Sequence, residues 1–482
     1  MNAFLEQPAL SQPAPLVVDL DGTLIRGDLL HESALKLLRL HPAAVALLPA
    51  WLLRGKAALK DEIAARVGIE AATLPYHPEL LDWLKAQKQA GRRLVLCTAS
   101  NERYAQQVAE HLGLFDEVIA SNGQDNVSAR RKAEILAQRY GEKGFDYAGN
   151  SSDDLHVWAR AREAILVNTP AGVAAAAQRQ FKVAGVFPGA AASLRTWLRA
   201  LRLHQWLKNL LVLLPLAGAF QMGQGELLQA ALMAFLAFGL CASSVYVLND
   251  LMDLESDRQH PRKRERPFAA GVLSPVAGLA VAALLLLGSA AIAAASRPAF
   301  QLALASYFAL TLAYTFVLKR KVIVDCLTLG TLYTLRIVAG WSAVGLPASF
   351  WLLAFSLFLF LSLAFVKRYS ELQAVVKAGK ADAAGRGYLG SDLPLVQTMG
   401  VSAGFCSAML LALYINGDTV MRTYTHPELL WLTVPILLYW ISRMWMQAQR
   451  GHMHDDPVVF AVRDPISLAC AALFGLTLAA SR

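Results

Sequence analysis

Residues 246–258 read YVLNDLMDLESDR. An apolar lead brings in Asn249 and Asp250, and Asp253 and Asp257 follow at offsets of three, four and seven. On a helix these offsets put the four polar side chains on one face. Carboxylates packed together at the end of an apolar stretch repel one another and are costly near lipid, so they call for a cation. A set of oxygen ligands with one amide suits Mg2+, which in turn binds phosphate oxygens. Arg258 and the run HPRKRERP at 260–267 come next. Arg258, Arg262, Lys263, Arg264 and Arg266 would neutralise phosphate charge beyond the metal.

Around this stretch the chain is apolar. It has 482 residues, 56% of them hydrophobic and 17% charged, and a mean hydropathy of +0.40. Those values exclude a disordered chain and a wholly soluble enzyme, and the length suggests two or three domains. The net charge of +9 fits basic membrane loops and anionic substrates rather than nucleic acid. Five scattered cysteines without a CxxC pair predict reduced thiols and no zinc site. The stretch MNAFLEQPALSQPAP has neither a basic n-region nor an apolar h-region, so no cleaved signal is expected.

Nine membrane spans are expected, at about 207–222, 227–248, 273–294, 299–317, 322–343, 349–366, 396–416, 428–446 and 465–480. The loops after every second span carry most of the Lys and Arg, including Lys319, Arg320, Lys321, Lys367, Arg368, Lys377, Lys380 and Arg386. The other loops and the tail carry only Arg297, Arg422 and Arg482. This asymmetry places the basic loops and the N-terminal domain in the cytoplasm of a bacterial-type inner (plasma) membrane and the C-terminus outside. Residues 186–206 read as a linker and an interfacial helix, with Leu194, Trp197, Leu198 and Leu201 on one face.

Residues 1–185 read as a soluble α/β domain with a parallel sheet, its strands near 15–21, 92–100, 115–121, 145–151 and 164–168. A helical insert at about 28–90 is long enough for a cap. Its stretch LLPAWLLRGK at 47–56 is too short to span and reads as core or interfacial. Four chemistry-bearing groups follow predicted strands. They are Asp19 and Asp21 in DLDGTLIRGD, Thr98, Lys132, and Asn150 with Asp154 in GNSSDD. A nucleophilic Asp19, an acid/base Asp21, hydrogen bonding from Thr98, charge neutralisation by Lys132 and Mg2+ at Asn150 and Asp154 make a set for aspartyl-phosphate chemistry. Asp19 and Asp21 count among the metal ligands as well.

NDxxDxxxD followed by Arg266, Pro267 and Gly271 resembles the UbiA-type intramembrane prenyltransferase superfamily, over about residues 195–482. The resemblance implies an all-α bundle of nine transmembrane helices, with a Mg2+-bound diphosphate at the cytoplasmic mouth of a cavity. Members with aromatic acceptors carry a second Asp-rich motif after the sixth helix. Here AFVKRYSEL at 364–372 offers Lys367, Arg368 and Glu371 instead, which implies a second anionic ligand. Together with RLHQWLKNLLVLLPL at 202–216, LKRKVIVDCLTLGTLYTLRIVAG at 318–340 and DDPVVFAVRD at 455–464, this is similar to the polyprenyl-phosphate phosphoribosyltransferase branch. That branch transfers phosphoribose from phosphoribosyl pyrophosphate to a polyprenyl phosphate, a step of cell-envelope chemistry. The resemblance implies metal binding by Asn249, Asp250, Asp253 and Asp257, with catalysis resting on Asp250 and Asp253. Lys208, Lys319, Arg320, Lys321, Arg336, Lys367 and Arg368 are then candidates for the phosphates of donor and acceptor.

Residues 15–185 resemble the HAD-like phosphatases, with a helical cap of the first type. Asn150 stands where that family's metal motif has an Asp, so the metal meets less negative charge. With both sites in one chain, the phosphatase is expected to remove the 5-phosphate of the transferase product. Two other readings are an aromatic-acceptor transferase using a polyprenyl diphosphate, and a non-enzymatic membrane protein with a regulatory phosphate-binding domain.

Overall fold

A computed structural model describes residues 13–190, 192–346, 348–377, 387–417, 420, 424–453 and 456–482. Lys380, Arg386 and Arg422 of the loop pattern lie outside them. The chain forms two compact units. The first takes the described residues up to Leu201 and adds Val247–Val281, and the second takes Arg202–Tyr246 and Ala282–Arg482. The acid-bearing stretch thus groups with the N-terminal domain.

In the first unit six parallel strands lie in the order β3-β2-β1-β4-β5-β6. They are β1 Leu16–Val18, β2 Leu94–Asn101, β3 Glu117–Ser121, β4 Asp146–Gly149, β5 Ala164–Val167 and β6 Val183–Phe187. β1, β4 and β5 are buried along their whole length, as helices on both faces of a parallel sheet require. Leu16, Val18, Leu94 and Leu96 pack on one face, and Val17, Val95, Cys97 and Leu166 on the other. β1 lies between β2 and β4, so the strand order reverses there and a crevice opens at the carboxyl ends. β6 was not expected, and it carries the sheet two residues past the boundary drawn at 185.

The expected cap is helical. It holds α1 Leu29–Leu40, α2 Leu48–Leu53, α3 Lys56–Ala64 and α4 Pro78–Gln89. Asp28 caps α1 by accepting from the His31 backbone N–H. Helices α5 Glu102–Leu112, α6 Ala129–Tyr140, α7 Leu155–Trp158 and α8 Ala171–Gln180 cover the sheet. α9 is a seven-residue helix, Leu194–Ala200, which leaves Leu194 and Leu198 exposed.

The remaining helices among the described residues are α10 Leu214–Gly218, α11 Gly225–Met252, α12 Leu254–Gln259, α13 Pro275–Ala294, α14 Pro298–Phe316, α15 Val324–Val344, α16 Phe350–Lys377, α17 Leu393–Ile415, α18 Thr433–Gln449, α19 Pro457–Arg463 and α20 Pro465–Ala480. Among the described residues six helices are long and apolar enough to cross a bilayer, namely α11, α13, α14, α16, α17 and α18. α19 and α20 meet at 82° and would make a seventh only as a broken span. The chain is a multi-pass membrane protein, but the nine spans read from sequence are not all present as such. Residues 207–222 fold as a 3-10 stretch, Leu203–Leu213, and the short α10, because buried Lys208 and Asn209 and then Pro215 interrupt the apolar run. α15 has the length, but Asp325 and Arg336 reduce its apolar character.

Candidate active sites

In the first unit, Asp19 follows β1 and Asn150 follows β4, while Thr98 lies in β2. The strand-order reversal therefore gathers residues far apart in sequence. Lys132 Nζ donates to Asp19 Oδ1 at 2.7 Å and to the Tyr147 hydroxyl at 2.9 Å. Tyr147 in turn donates to Asp154 Oδ1 at 2.8 Å. Asp21 is held on both oxygens. The Leu29 N–H donates to Oδ1 at 2.8 Å, and Ser100 Oγ donates to Oδ2 at 2.6 Å, with Thr98 Oγ1 at 3.4 Å. Gly22 makes the turn beyond Asp21 at a φ of +73°. A Cβ there would stand 2.0 Å from the Asn150 amide, so only glycine lets Asn150 close on this loop.

Burial pushes the Asp19 carboxyl up to about 7 against the pull of Lys132. Burial, with Asp28 nearby, pushes Asp21 up to about 6. Burial opposes the charge on Lys132, but Asp19 and Asp154 hold its ammonium above the usual lysine range. The donors for a hard cation are the Asp19 carboxylate and the Asn150 carbonyl. Mg2+ commonly takes one or two protein oxygens and completes its shell with phosphate and water, so this pair suits it, with one charge fewer than two carboxylates. Asp154 has a different role. Its Oδ2 accepts from Asn150 N, Ser151 N and Ser151 Oγ at 2.9, 2.9 and 3.0 Å, so it braces the metal loop. Tyr147, Ser100 and Lys60 were missed in the sequence. Lys60, on cap helix α3, donates to Ala99 O at 2.6 Å and Asn126 Oδ1 at 3.0 Å.

The acid motif is not one straight helix. α11 stops at Met252, Asp253 leaves helical geometry, and α12 begins at Leu254. Backbone bonds from Asp253 N to Asn249 O and from Asp257 N to Asp253 O carry the helical path through the break. Asp250 and Asp257 therefore still meet. Arg266 Nη1 lies 3.2 Å from Asp250 Oδ1 and 2.5 Å from Asp257 Oδ2. Burial raises the Asp257 carboxyl, opposed by Arg266. Among the described residues no three His, Cys, Asp or Glu side chains form a metal cage by themselves. Two carboxylates do converge on one cationic nitrogen, and two carboxylates near an amide in sequence are a donor set whose chemistry fits Mg2+. Asp253 faces Arg39 at 3.8 Å. Arg258 does not lie open to a phosphate, because both of its terminal nitrogens donate to Glu32 at 2.7 Å. Arg262 is exposed and Lys263 half-buried in the loop that follows.

The second unit gathers other cations. Lys208 Nζ donates to Asp456 Oδ2 at 2.5 Å, Lys367 lies 3.8 Å from the same oxygen, and the Tyr333 hydroxyl approaches at 3.4 Å. Arg336 donates to Asn209 Oδ1 at 3.0 Å, Leu332 O at 2.7 Å and the Tyr307 hydroxyl at 2.9 Å. Arg368 is buried against Asp325 at 2.5 Å and also pairs with Glu371, while the Tyr388 hydroxyl donates to Asp325 at 2.7 Å. Arg368 is thus built into the packing. Arg320 and Lys321 are exposed and Lys319 half-buried beyond α14. Asp456, which organises Lys208 and Lys367, was legible only as part of the 455–464 string.

Residues 211–463 match the UbiA prenyltransferase family and residues 16–159 match the haloacid dehalogenase-like hydrolases. The uncharacterized protein y4nM of Sinorhizobium fredii is 36% identical over 97% of this chain and 91% of its own length, so it shares the two-domain arrangement. The decaprenyl-phosphate phosphoribosyltransferase of Mycobacterium tuberculosis is 33% identical over 58% of this chain and 93% of its own. A UbiA homolog from Archaeoglobus fulgidus, solved with GPP and Mg2+, is 19% identical, with a TM-score of 0.46, over 59% of this chain and 99% of that one. A transferase family and a hydrolase family in one chain make it an enzyme rather than a scaffold. By its family match the chain belongs to the UbiA prenyltransferase family, and it carries a HAD-like hydrolase domain at its N-terminus.

Proposed function

We propose that the membrane part transfers 5-phosphoribose from phosphoribosyl pyrophosphate to a polyprenyl phosphate, and that the HAD-like domain then removes the 5-phosphate. The observation that carries this reading is the cationic grouping around Asp456. Lys367 comes from the segment where aromatic-acceptor members have a second acidic motif, and it converges with Lys208. Two ammonium groups receive an anionic acceptor better than a neutral ring. The M. tuberculosis relative, named for this phosphoribosyl transfer, supports the same branch.

Asp250 and Asp257, with Asn249 and Asp253, would hold Mg2+, and Asp19 with Asn150 would hold a second ion in the HAD-like site. When bound, the ion supplies charge stabilisation to a departing pyrophosphate or to a phosphoryl group in transfer. The acceptor phosphate is ionised at pH 7 and attacks C1 of the ribose without a strong base. In the HAD-like site a carboxylate oxygen of Asp19 attacks phosphorus, and the P–O bond to the sugar breaks. Asp21, held by Ser100 and Leu29, protonates the leaving oxygen. Thr98 and Lys132 position and neutralise the phosphoryl group, and water then hydrolyses the aspartyl phosphate. Both sites would face the cytoplasm of a bacterial inner membrane.

Purified protein incubated with phosphoribosyl pyrophosphate, polyprenyl phosphate and Mg2+ is expected to give a dephosphorylated ribosyl lipid by mass spectrometry. Asp19→Asn is expected to stop at the 5-phosphorylated lipid. Identical products from both proteins would remove the coupled phosphatase, and prenylation of an aromatic acid without phosphoribosyl pyrophosphate would replace the transferase reading.

A further inference from the structure

The apolar cap segment 42–53 has no part in either reaction. It holds no charged residue and folds as a 3-10 turn, Pro42–Leu47, followed by α2. Its two faces differ. Trp51 turns inward among Leu37, Ile63 and Val67, with the Arg66 guanidinium 4.6 Å from its ring centre. Leu47, Leu52 and Leu53 turn outward and are 47%, 52% and 91% exposed. Arg39 precedes the segment and Arg54 and Lys56 follow it, so an apolar face is bracketed by cations; Arg54 pairs with Glu62 at 2.9 Å, yet its side chain stays 63% exposed. This is the make-up of an element that lies in a membrane interface.

A second observation sets the depth of this face. The cap is fixed to the end of α11. Arg39 Nη1 donates to the carbonyl of Met252, the last residue of that helix, at 3.0 Å. Lys36 pairs with Glu255 at 2.7 Å, and Glu32 takes both terminal nitrogens of Arg258 in a pair whose side chains are 12% and 7% exposed. α11 has 28 residues, which at about 1.5 Å per residue is roughly 42 Å, against a hydrocarbon core of about 30 Å. The excess must leave the core at one end or both, and the last turn carries Asn249 and Asp250, groups costly among acyl chains, which favours this end at the headgroups. The first outward leucine, Leu47, follows eight residues after the arginine that holds that end.

We propose that this face of the cap rests in the bilayer, with Leu47, Leu52 and Leu53 among the upper acyl chains and Arg54 and Lys56 on anionic headgroups. The HAD-like site is thereby presented to phosphate esters carried on lipid rather than to sugar phosphates free in solution. The contact is argued from the cap alone. Only its substrate consequence rests on the proposed function.

The test uses the full chain in nanodiscs of phosphatidylcholine and phosphatidylglycerol. A nitrobenzoxadiazole label is placed at Leu53→Cys in a Cys406→Ser background, with Lys85→Cys as the water-facing reference. The label at 53 is expected to shift to the blue and to lose at least half its emission to shallow doxyl lipids, while the label at 85 does neither. Emission at 53 like that at 85 overturns the proposal. So does a blue shift without doxyl quenching, because the face would then be covered by protein. Leu52→Glu with Leu53→Glu is expected to slow dephosphorylation of the lipid product at least tenfold and to leave p-nitrophenyl phosphate hydrolysis within twofold. Equal loss on both substrates, or on neither, also overturns the proposal. Doxyl quenching in a protein that dephosphorylates no lipid supports the contact and removes the proposed function instead.

Discussion

Among the buried acid–cation centres of the first unit, those at Asp19 and at Asp250 with Asp257 are built in opposite ways. At Asp19 the acid sits at the end of a fully buried strand, and its cation, Lys132, is fixed by a tyrosine that also grips Asp154. At Asp250 and Asp257 the acids lie on either side of a broken helix, and the cation is the tip of a loop arginine that is about a quarter exposed. The first arrangement is preorganised by a sheet whose geometry the rest of the domain dictates. The second is a clasp, in which two like charges are kept together by one guanidinium. On the proposed function, the first arrangement would suit a nucleophile in covalent catalysis, and the second a site that takes up a metal–diphosphate complex.

The strongest test of the rigid centre is Asp19→Asn. Loss of the nucleophile is expected to lower dephosphorylation by about 10^3-fold or more, followed as accumulation of the 5-phosphorylated lipid, with transfer unchanged. At the clasp, Asp250→Ala is expected to lower transfer by about 10^2–10^3-fold, read from labelled ribosyl lipid, while p-nitrophenyl phosphate hydrolysis persists. If Asp250→Ala left transfer intact, the two centres would not be two active sites.

Lys132→Met sharpens the contrast through stability. Removing one partner of a fully buried pair costs about 3–5 kcal/mol, which hydrogen exchange at the β1 and β4 amides would show. Asp19→Asn combined with Lys132→Met is expected to recover much of that loss. The smallest effect is expected from Tyr147→Phe. It strips one hydroxyl from the Lys132–Asp154 chain and costs about 1–3 kcal/mol, seen as weaker protection of the same amides and a several-fold lower phosphatase rate.

The sheet centre was legible because apolar runs ending in Asp19 and Thr98 announce strands and their carboxyl ends. β6 escaped because its burial is only partial and Gly185 dilutes its pattern. Tyr147 escaped because nothing local distinguishes it from a core aromatic. The acid motif was legible as a spacing, but the break at Asp253 was not, since the backbone bonds across it remain nearly helical. Arg258 was read as a phosphate ligand because its partner Glu32 lies 226 residues away, and a contact of that range leaves no mark on local composition. The same holds for Arg368, whose neighbours Asp325 and Tyr388 arrive from other parts of the chain.

The pinning of α1 also constrains how the phosphatase can breathe. Here the lid is bolted at Glu32, Lys36 and Arg39 to the end of a bilayer-embedded helix. If the cap stays with that helix, opening of the crevice would have to come from the sheet side, about the two crossings of the chain where Ile25 pairs with Tyr76.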